Sequence, residues 1–218
     1  MEWWRRGQRS LEDFVRRHGG VVLLLGALFV IGVVFGALAV GSLDPRSKQE
    51  MVRYLGESLS GLSRGGPAPA EGSLMLKAAL LRSLKYLVLL WVLGISLVGV
   101  LGVAALALLR GFVSGFTVGF LAAELGWRGV ALAVAGHLPQ SLLEVPALVI
   151  GGTAAVAFSL QVIRSWSERR RVPQFYPALA RLTGTLLATG LVLVVAGLVE
   201  SYLSPALVRF AASFLQPL

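Results

Sequence analysis

Four ionisable residues stand inside or at the edge of long apolar runs: Glu124, His137, Glu144 and Glu200. A charged side chain at the centre of a bilayer costs about 2.5–3.5 kcal/mol on insertion scales, so each of them needs a partner or water. His137, Gln140, Ser141 and Glu144 fall at i, i+3, i+4 and i+7. That spacing puts them on one face of a helix, with the outer pair about 10 Å apart along its axis. Two chemistries follow. One is a polar cavity at a broken helix, as in an ion-coupled transporter, with Glu144 and His137 as its working groups. The other, which is the expectation here, is a set of helix-to-helix hydrogen bonds around Pro139 and Pro146. Glu124 precedes Trp127 and Arg128, and Glu200 precedes Tyr202 and Ser204, so both carboxylates belong near an outer interface, within reach of Arg128 or Arg209.

Catalysis has few residues to work with. The two histidines are His18 and His137, there is no HExxH, and no aspartate lies within an apolar run. The segment from Gly111 to Gly115 holds Ser114 but is one residue longer than GxSG. Metal, aspartyl and rhomboid-type serine chemistry therefore lack their groups. The absence of cysteine removes disulfides, thiolate nucleophiles and cysteine-ligated metals. With no Walker A sequence and no GxGxxG after a strand, nucleotide binding has no support. The expectation is a non-enzyme without cofactor or metal.

The elements that must hold these groups are set by composition. The 218 residues are 56% hydrophobic and 14% charged, with a mean hydropathy of +0.78, against about 25% charged residues in soluble domains. Several stretches reach the roughly 20 uncharged apolar residues that a helix needs to cross about 30 Å of hydrocarbon. They are continuously apolar, whereas a β-barrel would alternate. The fold class is all-α: a polytopic integral membrane helical bundle of about five transmembrane helices, one of them broken by proline or re-entrant. The formal charge of +9 would suggest nucleic acid in a soluble protein. Here the arginines flank apolar spans, where they set topology and meet anionic lipid, so no nucleic-acid partner is expected.

Along the chain, residues 1–20 carry Trp3, Trp4 and five arginines, a basic cytoplasmic segment of amphipathic character. The first span is 21–41, too long for the core of a cleaved signal peptide. Residues 42–83 form a mixed-charge extracytoplasmic loop with a flexible break at 65–70. The second span is read as 84–109, closed by a tight inner turn at Arg110, and the third as 111–126, closed by Trp127 and Arg128. The run 129–163 exceeds one straight span and contains both prolines, so it reads as a broken helix or a re-entrant half-helix followed by a span. A basic cytoplasmic loop at 164–181, a fifth span at 182–203 and an extracytoplasmic tail at 204–218 complete the reading. The amino terminus is then cytoplasmic, with positive charge inside at 5–17, at Arg110 and at 164–181.

Gly111, Gly115 and Gly119 make a GxxxGxxxG ridge interleaved with Phe112, Phe116 and Phe120, and Gly32 and Gly36 make a second small-residue pair. Glycine at this spacing lets helix backbones approach closely where lipid removes the hydrophobic driving force. Packing within one bundle is the expectation; a homodimer across the ridge is the alternative.

Several of these stretches resemble a known family. They are Phe35-Gly36-Ala37, Lys85-Tyr86 through Leu90-Trp91, and Gly111 to Gly129 with its GFTVGFL and GW. To these are added Leu138-Pro139-Gln140, Val145-Pro146-Ala147, Phe158-Ser159-Leu160, and Glu200-Ser201-Tyr202 with Ser204-Pro205. In order and over essentially the whole chain they resemble the stage II sporulation protein M family, with Ser141 where that pattern leads one to expect asparagine. The resemblance implies a bacterial cell-membrane protein of endospore formation, at the septum and the engulfing mother-cell membrane. There it would act as a scaffold that places two peptidoglycan-degrading partners, stage II sporulation proteins D and P. The long outward loop and the outer edges at Trp127, Arg128, Tyr202 and Pro205 are the expected partner contacts.

Overall fold

The computed structural model describes residues 16–53, 69–96, 98–167, 175–203 and 206–207. Most of the amino-terminal basic segment, the middle of the long loop, residues 168–174 of the basic loop, Pro205 and the last eleven residues lie outside the described residues. The described chain is helical, without a strand, and five of its helices are long and apolar enough to cross a membrane.

Helix α1 is Gly19–Ala39, extended by a 3-10 turn at Val40–Ser42. A helical segment at 45–53 follows. Its start is set locally: Asp44 Oδ1 accepts from the backbone N–H groups of Arg46 and Ser47 at 2.6 and 3.2 Å, and Pro45 occupies the first helical position, where its missing N–H costs nothing. Helix α2 is Pro69–Ile95, α3 Gly99–Leu125, α4 Trp127–Ser167 and α5 Phe175–Leu198, the last finishing in a π turn at Val199–Leu203.

Two boundaries differ from the sequence expectation. The turn between the second and third spans lies at residues 96–98, not at Arg110. Ser96 makes it: its carbonyl accepts from Gly99 N–H at 3.0 Å and its hydroxyl accepts from Val98 N–H at 3.3 Å. Gly99 lets α3 leave at once, because a Cβ there would collide with the Leu93 carbonyl. Nothing in this uncharged stretch competes for attention with Arg110, which lies in the middle of α3. The second difference is the run after Gly126, which is one helix of 41 residues with both prolines inside and no re-entrant turn. Each proline removes a backbone bond, a loss that neighbouring helices make tolerable in a bundle, and α4 has neighbours along its length.

The crossings alternate in direction. Helices α1 and α3 run parallel, since Phe29, Val33 and Ala37 meet Gly111, Gly115 and Gly119 in order. Helix α4 returns antiparallel to α3, from the turn at Gly126 (φ 57°), past the Ser114–His137 contact, to Ser96 against Ser159. Helix α2 is antiparallel to α5: Trp91 donates to Thr183 at 3.3 Å, and Gly197 packs on Ala79. Helix α4 is the hub, with 61% of its apolar crossing buried against 17% for α1. Leu25, Leu90, Val103, Leu148, Phe158 and Leu186 knit the helices together inside. Large apolar side chains such as Leu23, Phe35, Leu38, Leu101 and Leu191 face out, the reverse of a soluble protein and what lipid as solvent requires. One rim thus carries the start of α1, the 96–98 turn and the end of α4. The opposite rim carries the 45–53 segment, Gly126 and the end of α5.

Candidate functional site

The polar residues of α2, α3, α4 and α5 converge into one chain of contacts. At about mid-depth, 11 residues or roughly 16 Å along α3 from its start, Arg110 is ion-paired with Glu144 of α4. Its guanidinium carbon also sits 5.8 Å from the ring centre of Tyr86 on α2, a cation–π distance. One helical turn along α4, Gln140 is buried and its amide donates both to Glu144 at 3.2 Å and to Glu200 at 2.9 Å. Glu200, on the π turn after α5, then accepts from Arg82 of α2 at 2.9 Å. The order is Arg110, Glu144, Gln140, Glu200, Arg82, running from the bundle centre toward the opposite rim. Two guanidinium groups balance two carboxylates, so the set is electrically neutral, and every charge in it has an ion-paired counter-charge. A lining of Ala79, Tyr86, Leu148 and Leu193 closes around it and leaves a cavity of about 20 Å³, room for about one water.

The four residues that share a helix face in sequence divide among different neighbours. Gln140 and Glu144 enter the chain. His137 turns to α3, its Nε2 3.2 Å from Ser114 Oγ, and the Ser141 hydroxyl donates to the His137 carbonyl at 2.7 Å. The stripe is wide enough to look at α3 with one edge and at α2 and α5 with the other. Glu124 pairs with Lys48 of the 45–53 segment at 2.8 Å, and Glu200 pairs with Arg82; the sequence put both carboxylates within reach of Arg128 or Arg209, and Arg209 lies outside the described residues. Sequence reasoning missed Arg110, which it placed in a turn, and gave no partner to Arg82 or Tyr86. Charge balance was the available signal: Glu144 and Glu200 needed two cations, and Arg82 and Arg110 stand next to or within the same apolar runs.

The glycines form a second, separate region. Gly32 and Gly36 of α1 lie against the backbone of Leu108, Phe112 and Phe116, while Gly111 and Gly115 of α3 lie against the carbonyls of Phe29 and Val33. Gly119 lies on Ala37, where a Cβ would come within 2.9 Å of the Ala37 Cα. The direction a side chain would take points straight at opposing carbonyl oxygens, so the glycine Cα–H groups face those oxygens across the seam. The ridge is filled by α1 of the same chain. Phe112, Phe116 and Phe120 stack along α3, with centroids 6.2 and 6.3 Å apart.

At the opposite rim Trp127, Arg128 and Tyr202 are exposed. Among the described residues no three histidine, cysteine or acidic side chains group as metal ligands.

A family model described as Stage II sporulation protein M matches residues 25–205. The chain belongs to that family. The stage II sporulation protein M match runs from α1 through the π turn after α5, so it takes in the glycine seam, the whole polar chain and the rim residues Trp127, Arg128 and Tyr202. Membership together with five membrane-crossing helices makes this a sporulation-related multi-pass membrane protein. No curated protein and no solved structure matches the chain.

Proposed function

We propose that the protein is a non-catalytic membrane scaffold that localises peptidoglycan hydrolases, stage II sporulation proteins D and P, at the septal and engulfing membrane during endospore formation. The observation that carries this reading is how the polar groups inside the bundle are used. Arg110, Glu144, Gln140, Glu200 and Arg82 saturate one another around space for about one water. A transport path needs groups free to exchange partners with a substrate or ion, and a hydrolase needs an unpaired nucleophile or base. These residues are spent on holding helices together, which suits a rigid platform.

The same reading puts the amino-terminal rim in the cytoplasm, where Arg16, Arg17, Arg164 and Arg181 gather at the ends of spans. The opposite rim, with the 45–53 segment and exposed Trp127, Arg128 and Tyr202, then faces the wall. A tether there raises the local concentration of wall-degrading enzymes without new chemistry. Mild-detergent co-purification of the tagged protein from sporulating cells, followed by mass spectrometry, tests it. Recovery of both hydrolases is expected, and recovery of neither while the protein stays folded sinks the scaffold. Deleting Ser60 to Glu71 is expected to weaken that recovery with membrane insertion unchanged; equal recovery would move the contact elsewhere.

A further inference from the structure

Lys85 lies at the middle of the α2 crossing Leu76–Ile95. It is exposed on the outside of the bundle and makes no ion pair or hydrogen bond among the described residues. Its surroundings are apolar and outward-facing: Leu81, Leu84, Val88, Leu89 and Val92, all more than 40% exposed, fall at spacings that make one stripe with Lys85 at its centre. Ten residues separate it from Ile95, about 15 Å along the helix. A lysine stem points toward the start of its helix, here toward Leu76 nine residues away, and covers less than half of that distance when it snorkels. An ammonium group is thus held beside hydrocarbon without a counter-charge, a placement that marks functional positions in membrane helices.

Among the described residues the membrane-crossing helices hold no carboxylate left to offer it. Of the 11 acidic residues, only Glu124, Glu144 and Glu200 lie within the membrane-crossing helices, and they are engaged by Lys48, Arg110 and Arg82. A second copy of the chain brings the same three engaged acids. We propose that the α2 stripe centred on Lys85 docks a transmembrane helix of a different protein, one that carries a glutamate or aspartate at matching depth among apolar residues. The ion pair supplies register and orientation, and Leu81, Leu84, Val88 and Val92 supply the packing surface. This contact lies within the membrane, apart from the rim contacts of the scaffold reading, and does not depend on the partner being a hydrolase.

Site-directed photocrosslinking tests it. Benzoylphenylalanine is placed at position 84 or 88 of the full-length protein in membranes of sporulating cells, and the crosslinked species is identified by mass spectrometry. The expected product is a second polypeptide with an acidic residue inside a membrane span, its yield at least tenfold lower with Lys85→Leu and kept with Lys85→Arg. Lys85→Glu should abolish the product, and changing the partner's acid to lysine should restore it, an arm that decides the matter even if Lys85→Leu folds poorly. Crosslinking to lipid alone, to a second copy, or to a span without an acid overturns the proposal. So does a yield unchanged by Lys85→Leu in protein with a normal size-exclusion profile.

Discussion

Between α1 and α3 the contact is backbone against backbone, with glycines and carbonyls in alternation and no charge anywhere. Between α2, α4 and α5, with Arg110 reaching in from α3, the contact is guanidinium against carboxylate through a buried amide. Both regions solve the same problem, the lack of a hydrophobic effect between helices already solvated by lipid. They solve it with opposite tolerances. The seam depends on the absence of atoms, so any side chain added there must push two backbones apart. The polar chain depends on balance, so removing one charge is worse than removing a pair.

The sharpest way to break that comparison is Gly115→Leu. A Cβ there overlaps the Val33 carbonyl, with no flexible side chain to give way, so the seam is expected to lose about 4 kcal/mol or more, at the extreme of single substitutions. Yield and size-exclusion profile in detergent should show α1 no longer seated. Gly26→Leu, at a glycine whose Cβ would meet nothing within 4 Å, is the control and should change stability by less than about 0.5 kcal/mol. A normally folded Gly115→Leu protein would mean that the seam has freedom to open.

Next in size is Glu144→Leu, which strands Arg110 at mid-depth. Both side chains of this pair are mostly buried, at 17% and 16% exposure, so stability should fall by about 3–5 kcal/mol. Adding Arg110→Met should recover most of that loss, because it removes the uncompensated charge. Equal loss in the single and the double variant, measured by thermal unfolding in detergent, would show that packing rather than charge balance governs this region.

Smaller still is Glu200→Gln, at the open end of the chain. Its side chain and that of Arg82 are 28% and 47% exposed, so the pair is much less desolvated than Arg110 and Glu144 and the expected loss is about 1 kcal/mol or less. A loss as large as that of Glu144→Leu would mean that the chain acts as one cooperative unit. The smallest effect belongs to Thr153→Val: this hydroxyl is fully buried on α4 without a hydrogen-bond partner among the described residues. Replacing it by a methyl of the same shape should leave stability unchanged or raise it by about 1 kcal/mol.

Why some of this was legible in the residues and some was not can be followed at particular positions. Gly111, Gly115 and Gly119 declare themselves, because nothing but close approach explains glycine at that spacing in an apolar helix. Gln140 and Glu144 declare themselves as needing partners but do not say which. Arg110 misled, because an arginine between two apolar runs has the same local signature whether it ends one helix or pairs inside the next. The real turn at Ser96 to Val98 has no charge and no proline, and only the capping of Val98 and Gly99 by Ser96 marks it.

By itself the sequence determined that this chain lives in a bilayer as a helical bundle of about five crossings, that three carboxylates inside or beside those crossings need partners, and that its glycine ridge packs helices. Those conclusions depend on length and composition against a fixed hydrocarbon thickness, quantities that do not change with the arrangement of the helices. Only the tertiary structure decided that Arg110 answers Glu144 and Arg82 answers Glu200, that α1 fills the ridge, and that Lys85 is left outside without a partner among the described residues. Pairing depends on which faces of which helices come together, and residues 82, 110, 140, 144 and 200 become neighbours only once four helices have chosen their sides.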